Sequence, residues 1–111
     1  MPIIHMVLFE FSPTTTHAQV KDVCTRMLSL STECLHPTSN KAYVKSYGGG
    51  RDTSPEGLQV GGFSHGFVSE FQSEEDREYY LKKDPAHLEF VKSLEGIVVN
   101  VRVVDFEPGK F

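Results

Sequence analysis

The chain has 111 residues, a formal net charge of −4, and 39% apolar and 23% charged residues. This composition is typical of one globular domain, and an acidic balance without a basic cluster argues against a nucleic-acid-binding protein. The sequence contains no run of eighteen apolar residues, so it predicts no membrane span. Cys24 and Cys34, in a chain whose first residues lack a signal-peptide pattern, favour reduced thiols and a cytoplasmic location.

The first half of the chain predicts a strand, a helix, a second strand and a long loop. Residues 3–11 alternate as a strand with two apolar sides: Ile3, His5, Val7, Phe9 and Phe11 on one, and Ile4, Met6, Leu8 and Glu10 on the other. After Pro13, an apolar stripe of helical period over residues 16–32 predicts a helix capped by a nearby threonine. Residues 41–47 predict the second strand, and the Gly-, Pro- and Ser-rich segment 48–62 predicts a loop.

The second half predicts a strand, two short helices and a last strand. Residues 63–71 alternate as a strand, with Phe63, His65, Phe67 and Phe71 on one side. Ser73 and the acidic residues after it predict the start of a helix that runs through Tyr80. Asp84 and Pro85 suit the cap and first turn of a second helix, which Gly96 ends. Residues 97–106 predict the final strand.

This order predicts an α+β domain of the ferredoxin-like type, a split β-α-β arrangement with a four-stranded antiparallel sheet in one domain over residues 1–111. The helices can cover only one face of such a sheet, yet the strands carry apolar residues on both. A second copy of the chain is the simplest cover for the other face. We therefore expect a homodimer, a dimeric α+β barrel, with no nucleic-acid or membrane partner.

Four segments resemble the stress-responsive A/B barrel domain family, known as Dabb: HMVLFEF, the loop from Gly50 to Pro55, FSHGFVSEF and YYLKKDPAHLEFVKSL. The resemblance covers nearly the whole chain and is most specific in the segment from Asp84 to Phe90. It implies a dimeric α+β barrel. One protein of the family is similar to a plant polyketide cyclase, in which a histidine and a tyrosine promote an aldol-type ring closure.

The resemblance carries the catalytic histidine over to His87, and His5 matches a first-strand histidine of the cyclase. The cyclase tyrosine lies six residues before its histidine, where this chain has Leu81, so Tyr80 takes that role only if the turn absorbs one residue. Tyr79 and Tyr80 are adjacent, and only one of them can face the core. His65 fits the wider family pattern.

Two functions follow from these residues. The first is a homodimer with a small hydrophobic pocket that binds a ligand without catalysis. The second is a cofactor-independent cyclase or lyase acting on a hydrophobic carbonyl compound, with His87 as general base and Tyr80 as oxyanion donor. The expected wall of either site consists of five residues, His5, Val7, Phe9, Phe63 and His65. A cavity of about 300 Å³ or more beside His87 favours the enzyme.

The remaining polar features have structural explanations. The five histidines are too widely spaced to predict a metal site, and no cofactor is expected. The run Gly48-Gly49-Gly50-Arg51 lacks the lysine of a phosphate loop, so a flexible connection, able to act as a lid, explains it better. His5 and His65 are each explained by hydrogen-bonded core positions unless they share one pocket with a tyrosine.

Overall fold

The computed structural model describes residues 2–58 and 61–111 and has the predicted element order. The elements are β1 (Ile3–Phe11), α1 (His17–Glu33), β2 (Val44–Arg51), β3 (His65–Phe71), α2 (Glu74–Lys82), α3 (Pro85–Ser93) and β4 (Val98–Phe106). The strands form one antiparallel sheet in the order β2-β3-β1-β4. The predicted ferredoxin-like α+β fold is confirmed.

Each helix begins where its capping residue predicts. Thr16 and Gln19 form a reciprocal capping box at the start of α1. The Ser73 side chain accepts a hydrogen bond from the backbone N–H of Asp76. Asp84 caps α3, with Pro85 in the first turn, where a missing N–H costs no helical hydrogen bond. The α2–α3 break therefore follows from two adjacent residues.

The helices cover one face of the sheet, here called the helix face, and leave the other, the open face, uncovered. On β1 the odd-numbered side chains from Ile3 to Phe9 are buried on the helix face, whereas Met6 and Leu8 on the open face are 36% and 38% exposed. The core on the helix face consists mainly of Val7, Phe9, Val23, Leu30, Cys34, Val44, Phe67, Phe71, Tyr80, Phe90 and Leu94. The predicted division of β1 between two faces is confirmed.

The prediction of a loop beginning at Gly48 is wrong, because the glycine run is the second half of β2. Gly48, Gly49 and Gly50 pair with β3, and the strand continues to Arg51. A side chain at Gly49 would place its Cβ 2.2 Å from the Phe67 ring, so the ring packs directly on the bare backbone. A run fixed in a strand in this way cannot act as a lid, so that interpretation is wrong. Residues 59 and 60 of the predicted loop lie outside the described residues.

Two further features of the sheet matter for the surfaces it presents. On the open face, the cross-strand neighbours Gly50 and Gly66 leave a hollow beside Leu8. On the helix face of β4, Val101 and Val103 stay 46% and 52% exposed, although their β1 neighbours Phe9 and Val7 are buried. The helices thus cover the centre of the sheet and leave the β4 edge uncovered.

Candidate functional site

His5 is held on the helix face by a carboxylate from the neighbouring strand. Its Nδ1 lies 2.6 Å from Oδ1 of Asp105, and the strand register places the two residues directly opposite each other. Arg77 of α2 donates to the other oxygen of Asp105 over 3.2 Å. The Nδ1–H group of His5 donates to the Asp105 carboxylate, so the Nε2 edge of the buried ring faces away from Asp105.

His87 lies in the first turn of α3 with its ring stacked on that of Tyr80. The ring centroids are 3.8 Å apart, and Nδ1 of His87 donates to the backbone carbonyl of Tyr80 over 2.8 Å. This hydrogen bond leaves the lone pair of the neutral ring on Nε2. Burial lowers the pKa of His87 below its ordinary value, more than the Tyr80 carbonyl and Asp84 raise it. The ring is therefore held neutral and oriented.

Tyr80 joins the two histidines in one cluster, here called the His5–Tyr80–His87 cluster. The rings of His5 and Tyr80 meet edge to face with centroids 6.1 Å apart, and both contact Phe71. Burial raises the pKa of the Tyr80 phenol, so its hydroxyl stays protonated and can donate a hydrogen bond. The cluster combines one donor with two imidazoles.

Three polar atoms of this cluster have no partner in the described part of the chain and are not completely buried. Within residues 2–58 and 61–111, no hydrogen bond joins another protein group to Nε2 of His5, to Nε2 of His87 or to the Tyr80 hydroxyl. None of the three is sealed, because no unpaired side-chain polar atom in that part of the chain is fully buried. Buried polar groups are normally hydrogen-bonded, and these three have no protein partner among the described residues. Each is therefore free to form a hydrogen bond with water or with a ligand.

The adjacent tyrosines divide as expected, with one facing the core. Tyr80 is 2% exposed, whereas Tyr79 is half-buried and packs its ring edge to face against Tyr43 at 5.8 Å. The helix break at Lys83 and Asp84 lets Tyr80 and His87 stack although seven residues separate them. Position 81, six residues before His87, holds a leucine that is 40% exposed.

The other four predicted wall residues separate into two groups. Val7 and Phe9 line the core on the same face as His5. His65 lies opposite Phe9, four residues along the strand from Ser69, the residue opposite His5, and its ring contacts Phe11. Phe63 precedes β3 and lies below the Arg102 guanidinium, 5.0 Å from its carbon.

The expectation that His5 and His65 open on one pocket is therefore wrong. They share a face but lie at opposite ends of the sheet. Phe63 instead borders the open-face hollow, a cavity of about 230 Å³. Its other lining residues include Leu8, Gly66 and, at its rim, His65. The alternating pattern of residues 63–71 did not show that β3 begins only at His65, so Phe63 was assigned to the wrong face.

The cavity beneath the helices is much smaller than the 300 Å³ expected of an enzyme. The cavity lined by Tyr80 has a volume of about 20 Å³, and its other walls include Met27, Leu30 and Phe67. A volume of this size holds about one water molecule. The core side chains, Phe67 among them, fill the space in which an enclosed substrate would have to lie.

Asp105, Arg77 and Asp84 are site residues that the sequence analysis missed. Asp105 follows the apolar part of the last strand, and only the pairing of β4 with β1 places it opposite His5. Within the described residues, no group of three or more acidic, histidine or cysteine side chains is arranged to hold a metal ion. None of the helices in that part of the chain has the length and apolar composition of a membrane span.

Comparison with known proteins places this fold in a family. The stress responsive A/B barrel domain, Dabb, matches residues 3–108. The chain belongs to the Dabb family. Among curated proteins, none matches it.

Several solved structures are similar to this Dabb chain over nearly its full length. The Arabidopsis thaliana protein At3g17210 is 27% identical with a TM-score of 0.76, over 98% of this chain and 97% of that one. The hydroxynitrile lyase of Passiflora edulis is 20% identical with a TM-score of 0.77, over 99% and 96%. A dimeric ferredoxin-like protein of Thermobifida fusca is 25% identical with a TM-score of 0.66, over 96% and 90%. At 20% identity, the likeness to the lyase concerns the fold alone.

Proposed function

We propose that this chain is a homodimeric Dabb protein that binds a small, largely apolar molecule at the His5–Tyr80–His87 cluster. The observation that carries the proposal is the cluster itself: two imidazole nitrogens and one phenol at the edge of an apolar core, none of them hydrogen-bonded to the described part of the chain and none completely buried. Ligand sites are typically apolar surfaces with a few convergent polar groups. A carbonyl or hydroxyl on the ligand would find both a donor and acceptors here.

The ligand is proposed to enter from the β4 side of the cluster rather than to fill an enclosed cavity. Val103 is half-exposed on the helix face and lies next to the strand pair of His5 and Asp105. His87 is only half-buried at the start of α3. A ligand lying along Val101 and Val103 would bury apolar surface at about 25 cal/mol per Å² while its polar end reached the cluster.

The homodimer is supported by the apolar open face. Met6, Leu8, Val104 and Phe106 lie there, between 36% and 60% exposed. A patch of this kind marks an interaction surface in a soluble protein. The Thermobifida fusca relative is described as dimeric, which agrees with this proposal.

The shape of the open face favours one arrangement of the two copies. Side chains on β1 and β4 form a ridge, and the hollow at Gly50 and Gly66 lies on β2 and β3. A two-fold axis parallel to the strands brings the ridge of each copy over the hollow of the other, as an isologous contact requires. An axis across the strands would instead set ridge against ridge.

A second candidate function, a cofactor-independent cyclase or lyase, is favoured by the fixed tautomer of His87. Its neutral ring directs a lone pair at Nε2, which can remove a proton from a carbon next to a carbonyl group. Tyr80 would donate to the oxyanion that forms, and His5 would orient the substrate. The small cavity beside Tyr80 places this candidate second.

Acetophenone in D₂O tests both candidates, because it has an apolar ring, an acceptor oxygen and exchangeable α-hydrogens. Binding predicts saturable NMR shifts of the His5 and His87 ring signals. His87→Gln or Tyr80→Phe should weaken binding about threefold to tenfold, the effect of one lost hydrogen bond. The exposed His17→Gln is the matched control.

The exchange reaction separates binding from catalysis. In the catalytic case, His87 takes a proton from the α-carbon and the resulting enolate receives a deuteron from solvent, so deuterium accumulates in acetophenone and His87→Gln stops it. Binding without exchange supports the ligand-binding function. If the ring signals do not shift at any concentration, or shift equally in both variants and the wild type, the cluster is not the binding site for this class of molecule.

A further inference from the structure

Asp84 is a buried carboxylate without a cationic partner. It is 1% exposed, and among the described residues no lysine, arginine or histidine side-chain nitrogen lies within 4 Å of its oxygens. A buried charge of this kind is costly unless hydrogen bonds compensate it. The donors around Asp84 therefore show what holds it in place.

Three donors from two parts of the chain surround this carboxylate. Oδ1 accepts from the backbone N–H groups of Ala86 at 3.0 Å and His87 at 3.5 Å. Oδ2 accepts from the Tyr43 hydroxyl at 2.5 Å. Burial and the carboxylate raise the pKa of Cys34 to about 12 and raise that of Tyr43, so both side chains keep their protons at neutral pH.

These bonds fix the position of His87. Asp84 holds the backbone N–H of His87, and the carbonyl of Tyr80 holds its ring. The backbone N–H of Asp84 in turn donates to the Tyr79 carbonyl over 2.9 Å. The end of α2 and the first turn of α3 are thereby locked together, and Tyr43, which precedes β2, holds the carboxylate from the other side.

We propose that Asp84 is a positioning residue for His87: its carboxylate holds the first turn of α3, from which the His87 ring stacks on Tyr80, and it places a buried negative charge near that ring. This inference rests on the proposed function in one respect, that His87 binds the ligand. The titratable groups that face this pair are His5 from β1, Tyr80 from α2, Cys34 from α1 and Tyr43 from before β2. Of these groups, His5 lowers the pKa of His87, as burial does, while Asp84 and the Tyr80 carbonyl raise it.

Asp84→Asn separates this role from that of a helix cap. Asparagine caps helices about as well as aspartate, so the chain should fold and α3 should begin at the same residue. We expect the NMR titration midpoint of the His87 ring to move to lower pH, because the favourable charge is lost. A purely structural cap predicts no movement. Asp84→Ser, which keeps a capping oxygen without charge, should give the same shift and serves if the asparagine variant does not fold.

Tyr43→Phe is the matched control, since it removes one hydrogen bond to Asp84 but keeps the charge. The His87 midpoint should not fall in this variant. An unchanged His87 midpoint in both charge-removing variants overturns the proposal, as does an equal fall in Tyr43→Phe. The titration requires no ligand, so a failed acetophenone experiment leaves its result interpretable.

Discussion

Nδ1 of His5 and Oδ1 of Asp105 lie 2.6 Å apart across neighbouring strands, although 100 residues separate them in the chain. The contact joins the first strand to the last, and Arg77 extends it to α2. One side of the candidate site is therefore built from three elements. Its geometry depends on the same sheet pairing that closes the fold.

Asp105→Ala should destabilise the fold. The substitution leaves the His5 ring, 4% exposed, without its partner, and charge-assisted hydrogen bonds of this kind contribute about 1.5–3 kcal/mol. Urea unfolding at neutral pH, at one fixed protein concentration, measures the change. Glu107→Ala is the control, because its Lys110 partner is largely exposed and such a pair contributes about 0–1 kcal/mol. Equal losses in both variants would show that the His5–Asp105 contact adds no more than a surface pair.

Gly49→Ala should also destabilise the fold, by roughly 1–3 kcal/mol, because the new methyl group would collide with the Phe67 ring and the Gly66 carbonyl. Gly50→Ala is a close control, since the next residue along the same strand has no heavy atom within 4 Å of its Cβ position. Thermal unfolding of the two variants side by side makes the comparison. If both unfold at the wild-type temperature, Phe67 does not pack on bare backbone at this point.

Leu8→Glu should convert the proposed dimer to a monomer. A carboxylate buried unpaired in an apolar contact costs several kcal/mol, which corresponds to at least about a hundredfold weaker association. Sedimentation velocity at micromolar concentration detects the change, and Leu58→Glu is the control because Leu58 is 74% exposed outside the sheet. Gly50→Leu, which fills the hollow, should weaken the dimer as well. A wild-type monomer at this concentration contradicts the proposal directly.

The sequence predicted the parts of this structure that depend on local periodicity. Alternation placed His5 on the same side of its strand as Val7 and Phe9, and Ser73, Asp84 and Pro85 marked the helix starts, because capping and side-chain alternation are properties of short segments. Contacts between distant segments could not be predicted in this way. Asp105 meets His5 only through a register that shifts near Glu10 and Phe11.

The glycine run shows the limit of composition as a guide. Three consecutive glycines favour a loop in any isolated segment. Here β3 supplies the hydrogen bonds and Phe67 occupies the space that a side chain at Gly49 would need, so tertiary packing overrides the local preference. The size of the cavity beside Tyr80 was unpredictable for the same reason, because it depends on how Phe67 packs.

The uncovered edge at Val101 and Val103 has a consequence for the rate at which a ligand can arrive. Enclosed sites often wait for a loop or helix to open, on a scale of microseconds to milliseconds. At the proposed site, a molecule would instead diffuse along two half-exposed valines and meet His5 from the side. Association at such an edge is limited by diffusion and orientation rather than by opening of the fold, so a weak ligand would exchange rapidly.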